Sequence, residues 1–352
     1  MSVLVTGGAG YIGSHAVQRL LRDGQRVVAL DNLFRGHPEA IDALQTIAGG
    51  RLTFIRGDVG ERDLVAKLLI DHKVKTVLHF AAMAYVGESV TQPLRYYRNN
   101  TAATLSLLEA IEQSWSDTRG GAAGGVERMV FSSTCASYGE PAKEFIPIPE
   151  TCPQSPVNPY GWSKLYCEHM LRDFSAQAWR EKRPFSWAAL RYFNVAGSDR
   201  TGLIGEHHEP ETHLIPVCLQ AALGQRDHLS IHGTDYPTPD GTCIRDYVHV
   251  EDLIDAHVTV MAALKPSEHR IYNLGIGKGL SVRQIIDSVQ RVTGKTFKVI
   301  EGPRRAGDPP ELYADPRKIA SELNWKARIT DPDEIVRSAW NWFSKHPKGY
   351  TK

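Results

Sequence analysis

The stretch from residue 3 to residue 31 constrains this chain more than any other. An apolar run, Val3-Leu4-Val5, leads directly into Thr6-Gly7-Gly8-Ala9-Gly10-Tyr11-Ile12-Gly13-Ser14-His15. A helical pattern follows, then a second apolar run, Val27-Val28-Ala29-Leu30, ending on Asp31. Strand, glycine loop, helix, strand and acid in this order are the layout of a dinucleotide-binding half-fold. Among Gly7, Gly10 and Gly13, one glycine makes the tight turn and one lets the backbone approach a pyrophosphate. Gly13 allows close helix–strand packing. The pyrophosphate would rest on unpaired N–H groups where the helix begins, at Tyr11 and Ile12. Asp31 stands 18 residues beyond Gly13, near where a carboxylate accepts hydrogen bonds from an adenosine ribose. A carboxylate there repels a 2′-phosphate, so NAD is expected rather than NADP, a preference that nearby Arg35 slightly tempers.

Bulk properties narrow the class. With 352 residues the chain is long enough for two domains, or for one large domain with a substantial lobe. The 41 basic and 40 acidic residues leave a net charge of +1, so no nucleic-acid partner is expected. The five cysteines, Cys135, Cys152, Cys167, Cys218 and Cys243, are odd in number and lack CxxC spacing, which reads as free thiols in a reducing cytosol. No apolar stretch approaches the roughly 18 residues that span a bilayer. A strand opening at residue 3 is read as leaving no room for a signal peptide, so a cytoplasmic protein with no membrane contact is expected.

Short apolar strands alternate with helical patterns through the first half. Strands are expected at 52–55, 76–80, 129–132 and 187–190. Helices are expected at 61–71, at about 93–115 and after Asn158-Pro159, with a flexible Gly-rich loop at 119–125. Near-continuous apolar strands alternating with helices imply a parallel sheet covered on both faces. The expected fold class is therefore α/β, a Rossmann-like doubly wound sheet. Beyond about Asn194, turn-rich polar segments point to a smaller C-terminal lobe built on loops.

Tyr160-Gly161-Trp162-Ser163-Lys164 carries the strongest catalytic signal. Four residues apart, Tyr160 and Lys164 share one helix face. Asn158 is a good N-cap and Pro159 a good first helical residue. Tyrosine is a poor base at neutrality, but a neighbouring ammonium and an oxidised nicotinamide would stabilise its phenolate. Thr134 ends a strand, where ligands of open α/β sheets bind, and its hydroxyl can relay a substrate proton to Tyr160.

These residues together resemble the extended short-chain dehydrogenase/reductases. Further stretches narrow the resemblance to the UDP-glucose (UDP-galactose) 4-epimerase group. They are Phe80-Ala81-Ala82 with Val86-Gly87-Glu88-Ser89, Asn99, Arg191-Tyr192-Phe193-Asn194, the block from Asp240 to Val250, Tyr272-Asn273-Leu274-Gly275 and Arg304-Arg305-Ala306-Gly307-Asp308. The resemblance implies a 1–193 NAD-binding domain and a 194–352 lobe that mainly binds UDP-sugar, with the segment around 245–264 packing back on the first. It places Asp58 and Val59 against adenine, and Asn32, Phe80, Ala81, Ala82, Asn99 and Tyr192 along the NAD site, with Tyr160 and Lys164 also touching the nicotinamide ribose. Asn194, Arg245 and Arg305 would hold the diphosphate, and Asp308 the uridine ribose. Leu214, Ser230 and His232 would lie near uridine.

Some positions depart from the group's pattern. No lysine precedes Val86, where Met83-Ala84-Tyr85 stand, and threonine replaces the frequent serine at 134. His213 occupies an asparagine position, and Leu312 a sugar-pocket gate that is usually tyrosine, cysteine or serine. Glucose or galactose is the first expectation, with UDP-pentoses and UDP-N-acetylhexosamines left open. The implied reaction inverts C4 through a transient 4-keto sugar. Dehydratases and decarboxylases of the same fold carry a carboxylate just after the catalytic hydroxyl. Here Cys135-Ala136-Ser137 follows, and an intact Tyr160–Lys164 pair speaks against a non-catalytic NAD sensor.

No metal is expected. His207, His208, Glu209, Glu211 and His213 are loosely ligand-like, but Pro210 breaks any helix that would aim them together, leaving a polar loop. Cys135 is read as a small buried filler. Leu105, Leu108 and Ile111, with Tyr166, Met170 and Phe174, form helical apolar stripes that read as core, although the family's two corresponding helices build a dimer, so a homodimer is expected.

Overall fold

Val3, Leu4 and Val5 are sealed on both sides, as the middle strand of a helix-covered parallel sheet must be. A computed structural model describes residues 2–116, 124–305 and 308–350. Most of the loop expected at 119–125 lies outside the described residues, as do Ala306 and Gly307. β1 (Ser2–Thr6), β2 (Arg26–Asp31), β3 (Leu52–Arg56), β4 (Val74–His79), β5 (Arg128–Thr134) and β6 (Ser186–Tyr192) share one seven-stranded sheet with the strand His269–Leu274. The order is His269–Leu274, β6, β5, β4, β1, β2, β3, and every pair from β3 to β5 is parallel. The expected α/β doubly wound sheet is what forms. Strand order reverses between β1 and β4, the switch point beyond which such sheets bind ligands. Register places Thr6 beside Leu30 and His79, and His79 beside Phe131, so the carboxyl ends of β2, β1, β4 and β5 line up.

α1 (Tyr11–Arg22) presents Ala16, Val17, Leu20 and Leu21 to the interior. The helix Pro159–Arg180 starts as its sequence predicts: the Asn158 carboxamide accepts from the Gly161 N–H at 2.8 Å, and Pro159 opens the first turn. Its far end is anchored by rings, with Phe174 stacked on Trp115 at 5.2 Å and edge-on to Phe185 at 5.1 Å.

Three features differ from expectation. The helix expected at 93–115 is interrupted: α-helical Pro93–Tyr96 passes through a π turn, Tyr97–Ala102, before α-helical Ala103–Ser116. The strand His269–Leu274, unforeseen in a loop-rich half, joins the main sheet. Pro38–Ala48 forms a further helix with Ala40, Ile41 and Leu44 buried. The chain divides into two compact units. The first runs to Gly139 and adds Pro153–Arg191 and Ile254–Tyr272. The second takes Glu140–Cys152, Tyr192–Leu253 and the residues from Asn273 onward. The second unit has its own core, in which Ile215, Leu219, Ile285, Val289, Ile335, Ala339 and Trp342 meet from three helices. Among the described residues no helix is long and apolar enough to cross a membrane.

Candidate active site

The glycine loop closes tightly on itself. Gly7 takes φ +70°, a conformation that other residues resist, and a methyl group on Gly13 would lie 2.0 Å from the Gly7 carbonyl oxygen. α1 begins with Gly10 as N-cap, no side chain capping it and no acid in its first turn. Its leading N–H groups, near Tyr11 and Ile12, therefore offer partial positive charge to an anion. At the end of β2 the buried Asp31 carboxylate accepts from Ala9 N–H at 3.0 Å and Leu33 N–H at 2.8 Å. Burial pushes its pKa up, against the pull of these donors. Asn32 donates to Asp58 at 2.7 Å, which ties the two predicted adenosine-side positions together, and Val59 beside them is buried. These features fit a bound dinucleotide: an uncapped helix start, a loop with no room for side chains, and an acid at the neighbouring strand end.

Residues that the sequence reading did not single out position this loop. His79 ends β4 with both ring nitrogens engaged, Nδ1 to the Thr6 hydroxyl at 2.6 Å and Nε2 to the Thr104 hydroxyl at 3.0 Å. Thr104 gives its own proton to the Asn100 carbonyl at 2.6 Å, so it can only accept from His79. Nε2 therefore carries the proton and Nδ1 accepts from Thr6. Burial first, and the Lys164 cation second, hold the imidazole down to about 3. The Thr6 hydroxyl oxygen also accepts from Ala81 N–H at 3.3 Å, joining the glycine loop to the predicted Phe80-Ala81-Ala82 segment. Phe80 itself packs on His257, ring centroids 4.9 Å apart.

Asn100, in the π turn, is a second such residue. Its carboxamide accepts from Met83 N–H at 2.8 Å and donates to Met83 O at 2.9 Å and Ser163 Oγ at 3.0 Å. Predicted Asn99 donates to Asn100 at 3.0 Å. The π turn thus ties the loop after β4 to the tyrosine helix, in keeping with the frequent placement of π turns at functional sites.

Thr134 ends β5, Tyr160 lies against it, and Lys164 follows Tyr160 by one helical turn. The buried Tyr160 phenol hydrogen-bonds with the Thr134 hydroxyl, which lowers its pKa, but burial outweighs that and pushes it up to about 12. The expected depression by Lys164 is absent from the protein alone. Lys164 donates to the Ser132 carbonyl at 2.8 Å and lies 4.9 Å above the Phe131 ring, and burial lowers its ammonium to about 8. Behind this group lies a polar clamp. Arg191 grips Glu168 through Nε at 2.9 Å and a second nitrogen at 2.5 Å. Ser133 donates to Glu168 at 2.5 Å and Arg191 to the Tyr138 hydroxyl at 2.9 Å. One buried ion pair so fixes β5 beside Thr134, the tyrosine helix one turn beyond Lys164, and β6. Tyr192 ends β6 and is buried.

Apart from Thr134 and Tyr160, the predicted substrate residues fall in the second unit. Strand Leu229–His232 buries Leu229 and Ile231, which turns Ser230 and His232 to its other face. Burial and the Arg305 cation lower the His232 pKa, and Asp308 opposes them. Arg245 pairs with Asp308 at 3.0 Å, and parallel pairing sets Leu312 beside Arg245. Asn194 is paired in register with Tyr247 and donates its N–H to Asp246 O at 3.0 Å. His213 and Leu214 start the helix Leu214–Ala222, where His213 is engaged by Glu211.

One expectation fails here. Pro210 does prevent a helix, but the loop itself gathers Glu206, His208, Glu211 and His213, with one potential ligand atom of each within 4.8 Å of the others. Loop backbone is not bound by helical periodicity, so the absence of a helix did not keep these side chains apart. His207 and Glu209 form a separate pair at 3.6 Å.

The NAD dependent epimerase/dehydratase family model matches residues 3–275. The chain is 47% identical to a probable UDP-arabinose 4-epimerase 3 of Oryza sativa subsp. japonica, over 99% of this chain and 83% of that protein. It is 44% identical to a UDP-glucose 4-epimerase of Lacticaseibacillus casei, over 99% of each. Among solved structures it is similar to a UDP-glucose 4-epimerase from Bifidobacterium longum in complex with NAD+ and UDP. There the TM-score is 0.90 at 36% identity, covering 99% of this chain and 100% of that one.

Proposed function

The chain belongs to the NAD dependent epimerase/dehydratase family, and from that premise we propose how its residues carry out the reaction. It is an NAD-dependent isomerase that inverts C4 of a UDP-sugar. We assign NAD to the cradle of Gly7, Gly10, Tyr11, Ile12, Gly13 and Asp31, extended by Asn32, Asp58, Val59, Phe80, Ala81, Ala82, Asn99 and Tyr192. When bound, NAD supplies a cationic ring and a hydride acceptor that returns what it takes, so the sugar passes through a 4-keto form. Ionised beside that cationic ring, the Tyr160 phenolate oxygen would accept the C4 hydroxyl proton and later give it back. Thr134 Oγ1 bridges substrate and phenol. Lys164 holds positive charge near the phenol and the ribose. The observation that carries this assignment is the Tyr160–Thr134 hydrogen bond at the carboxyl end of β5, with a buried Lys164 one helical turn on.

On the substrate side, Asn194, Arg245 and Arg305 hold the diphosphate, Asp308 the uridine ribose, and Leu214, Ser230 and His232 the uridine. Arginine suits diphosphate because its planar fork binds oxygens in pairs. His213 and Leu312 face the sugar. The proposed sugar pair is UDP-glucose and UDP-galactose. UDP-pentoses are the second reading, favoured by the 47% identity to a probable UDP-arabinose 4-epimerase. Incubation with UDP-galactose, UDP-xylose and UDP-N-acetylgalactosamine without added NAD, followed by separation of the C4 epimers, decides among them. Failure of all three with NAD confirmed in the protein overturns the assignment.

A homodimer is also proposed. Leu108 and Ile111 turn into the core, which leaves exposed Leu105 and Tyr166, flanked by half-buried Met170 and Phe174, to meet a partner. Five cysteines outside any disulfide suit a cytoplasmic setting.

A further inference from the structure

The acid–imidazole cluster in the 206–213 loop contains none of the proposed catalytic residues and shares only His213 with the proposed sugar pocket, and it brings one potential ligand atom from each of four side chains within 4.8 Å of the others. His208 Nδ1 is 3.3 Å from a Glu206 oxygen and 3.4 Å from a Glu211 oxygen. His213 Nδ1 is 3.7 Å from the same Glu206 oxygen and 2.8 Å from the other Glu211 oxygen. Zinc bound tetrahedrally at about 2.0–2.1 Å spaces its ligand atoms about 3.3–3.4 Å apart. Two of the four contacts, at 3.3 and 3.4 Å, match such an edge; the 3.7 Å contact is longer, and the 2.8 Å contact to the second Glu211 oxygen is a hydrogen bond that a metal would replace.

Charge and support agree with the geometry. The Glu206 and Glu211 side chains are 2% and 3% exposed, and two carboxylates this deep need compensation. A dication balances both. Glu211 Oε1 is aimed by the N–H groups of Thr212 at 2.7 Å and His213 at 2.8 Å, the backing that ligating carboxylates usually have. His213, 38% exposed, leaves a path for entry. Mixed nitrogen and oxygen donors favour zinc over calcium or magnesium, which prefer shells of oxygen alone.

We propose that Glu206, His208, Glu211 and His213 bind one zinc ion, which staples the loop in front of the helix Leu214–Ala222. This does not rest on the epimerase reading, because its readout is metal binding and not turnover. The competing occupant is a proton on His208 shared with both carboxylates. The test uses the full-length, NAD-loaded protein, stripped with chelator and titrated with zinc against a chromogenic competitor. One equivalent is expected to bind at micromolar or tighter affinity, and cobalt(II) in its place to show the intense visible bands of a tetrahedral site. His208→Gln and Glu211→Gln should each weaken zinc by at least about 100-fold, while Glu209→Gln leaves it unchanged. Less than one equivalent on the wild-type protein, a weak octahedral cobalt spectrum, or binding indifferent to both ligand substitutions overturns the proposal. The wild-type arms decide even if a variant fails to fold.

Discussion

Tyr160 is held as a neutral phenol by burial, and the group that eases its ionisation within the protein is Thr134. Tyr160→Phe should lower kcat by about 10²–10⁴-fold while NAD stays bound, checked by turnover and by cofactor released on denaturation. Thr134→Val removes a hydrogen bond of about 1 kcal/mol, which moves the phenol up by a little under one pKa unit. The acid limb of the kcat–pH profile should move to higher pH by that amount and turnover at neutral pH should fall about five-fold, with Thr134→Ser restoring both. His79 carries a stability prediction. Its folded pKa of about 3 lies below the unfolded 6.5, so the unfolded chain binds more protons between those values. Stability is complete above pH 6.5 and is lost as pH falls towards 3, by an amount on the order of a few kcal/mol. Urea melts of His79→Gln, which keeps a donor and an acceptor but does not titrate, should show a flatter acid limb.

At the scale of elements, the Glu168–Arg191 pair fixes where β5, β6 and the tyrosine helix meet. Removing one partner leaves a buried charge alone, so Glu168→Gln should cost about 3–5 kcal/mol in urea unfolding. Legibility in the sequence followed the range of the interactions. The glycine loop, Asp31, and Tyr160 with Lys164 were readable because strand and helix spacing relate residues a few positions apart. Asn100 and Glu168 were not, because their partners Ser163 and Ser133 lie 63 and 35 residues away. The π turn was hidden for a related reason: one extra residue per turn leaves the helical composition intact.

At the scale of the molecule, the parallel sheet was legible from its continuous apolar strands. The second unit was not, since strands such as Ile244–Arg245 and Glu311–Leu312 are two residues long and carry no period. Of the loop cluster, His208, Glu211 and His213 stood out in the sequence, but Glu206 and the arrangement itself did not. A double substitution at the exposed patch, Leu105→Glu with Tyr166→Glu, should turn a dimer into a monomer in analytical ultracentrifugation without lowering the melting temperature of the isolated subunit.

The surroundings of Asp31 bear on redesign. A methyl group on Gly36 would lie 2.7 Å from one Asp31 oxygen and 2.9 Å from the Ala9 side chain. Deleting the acid therefore frees little more than the volume of a carboxylate, because Gly36 and the Leu33 N–H lie directly against it. Switching this scaffold to the phosphorylated coenzyme calls for rebuilding those neighbours together with the acid, and single substitutions at position 31 should yield enzymes that have lost one preference without acquiring the other.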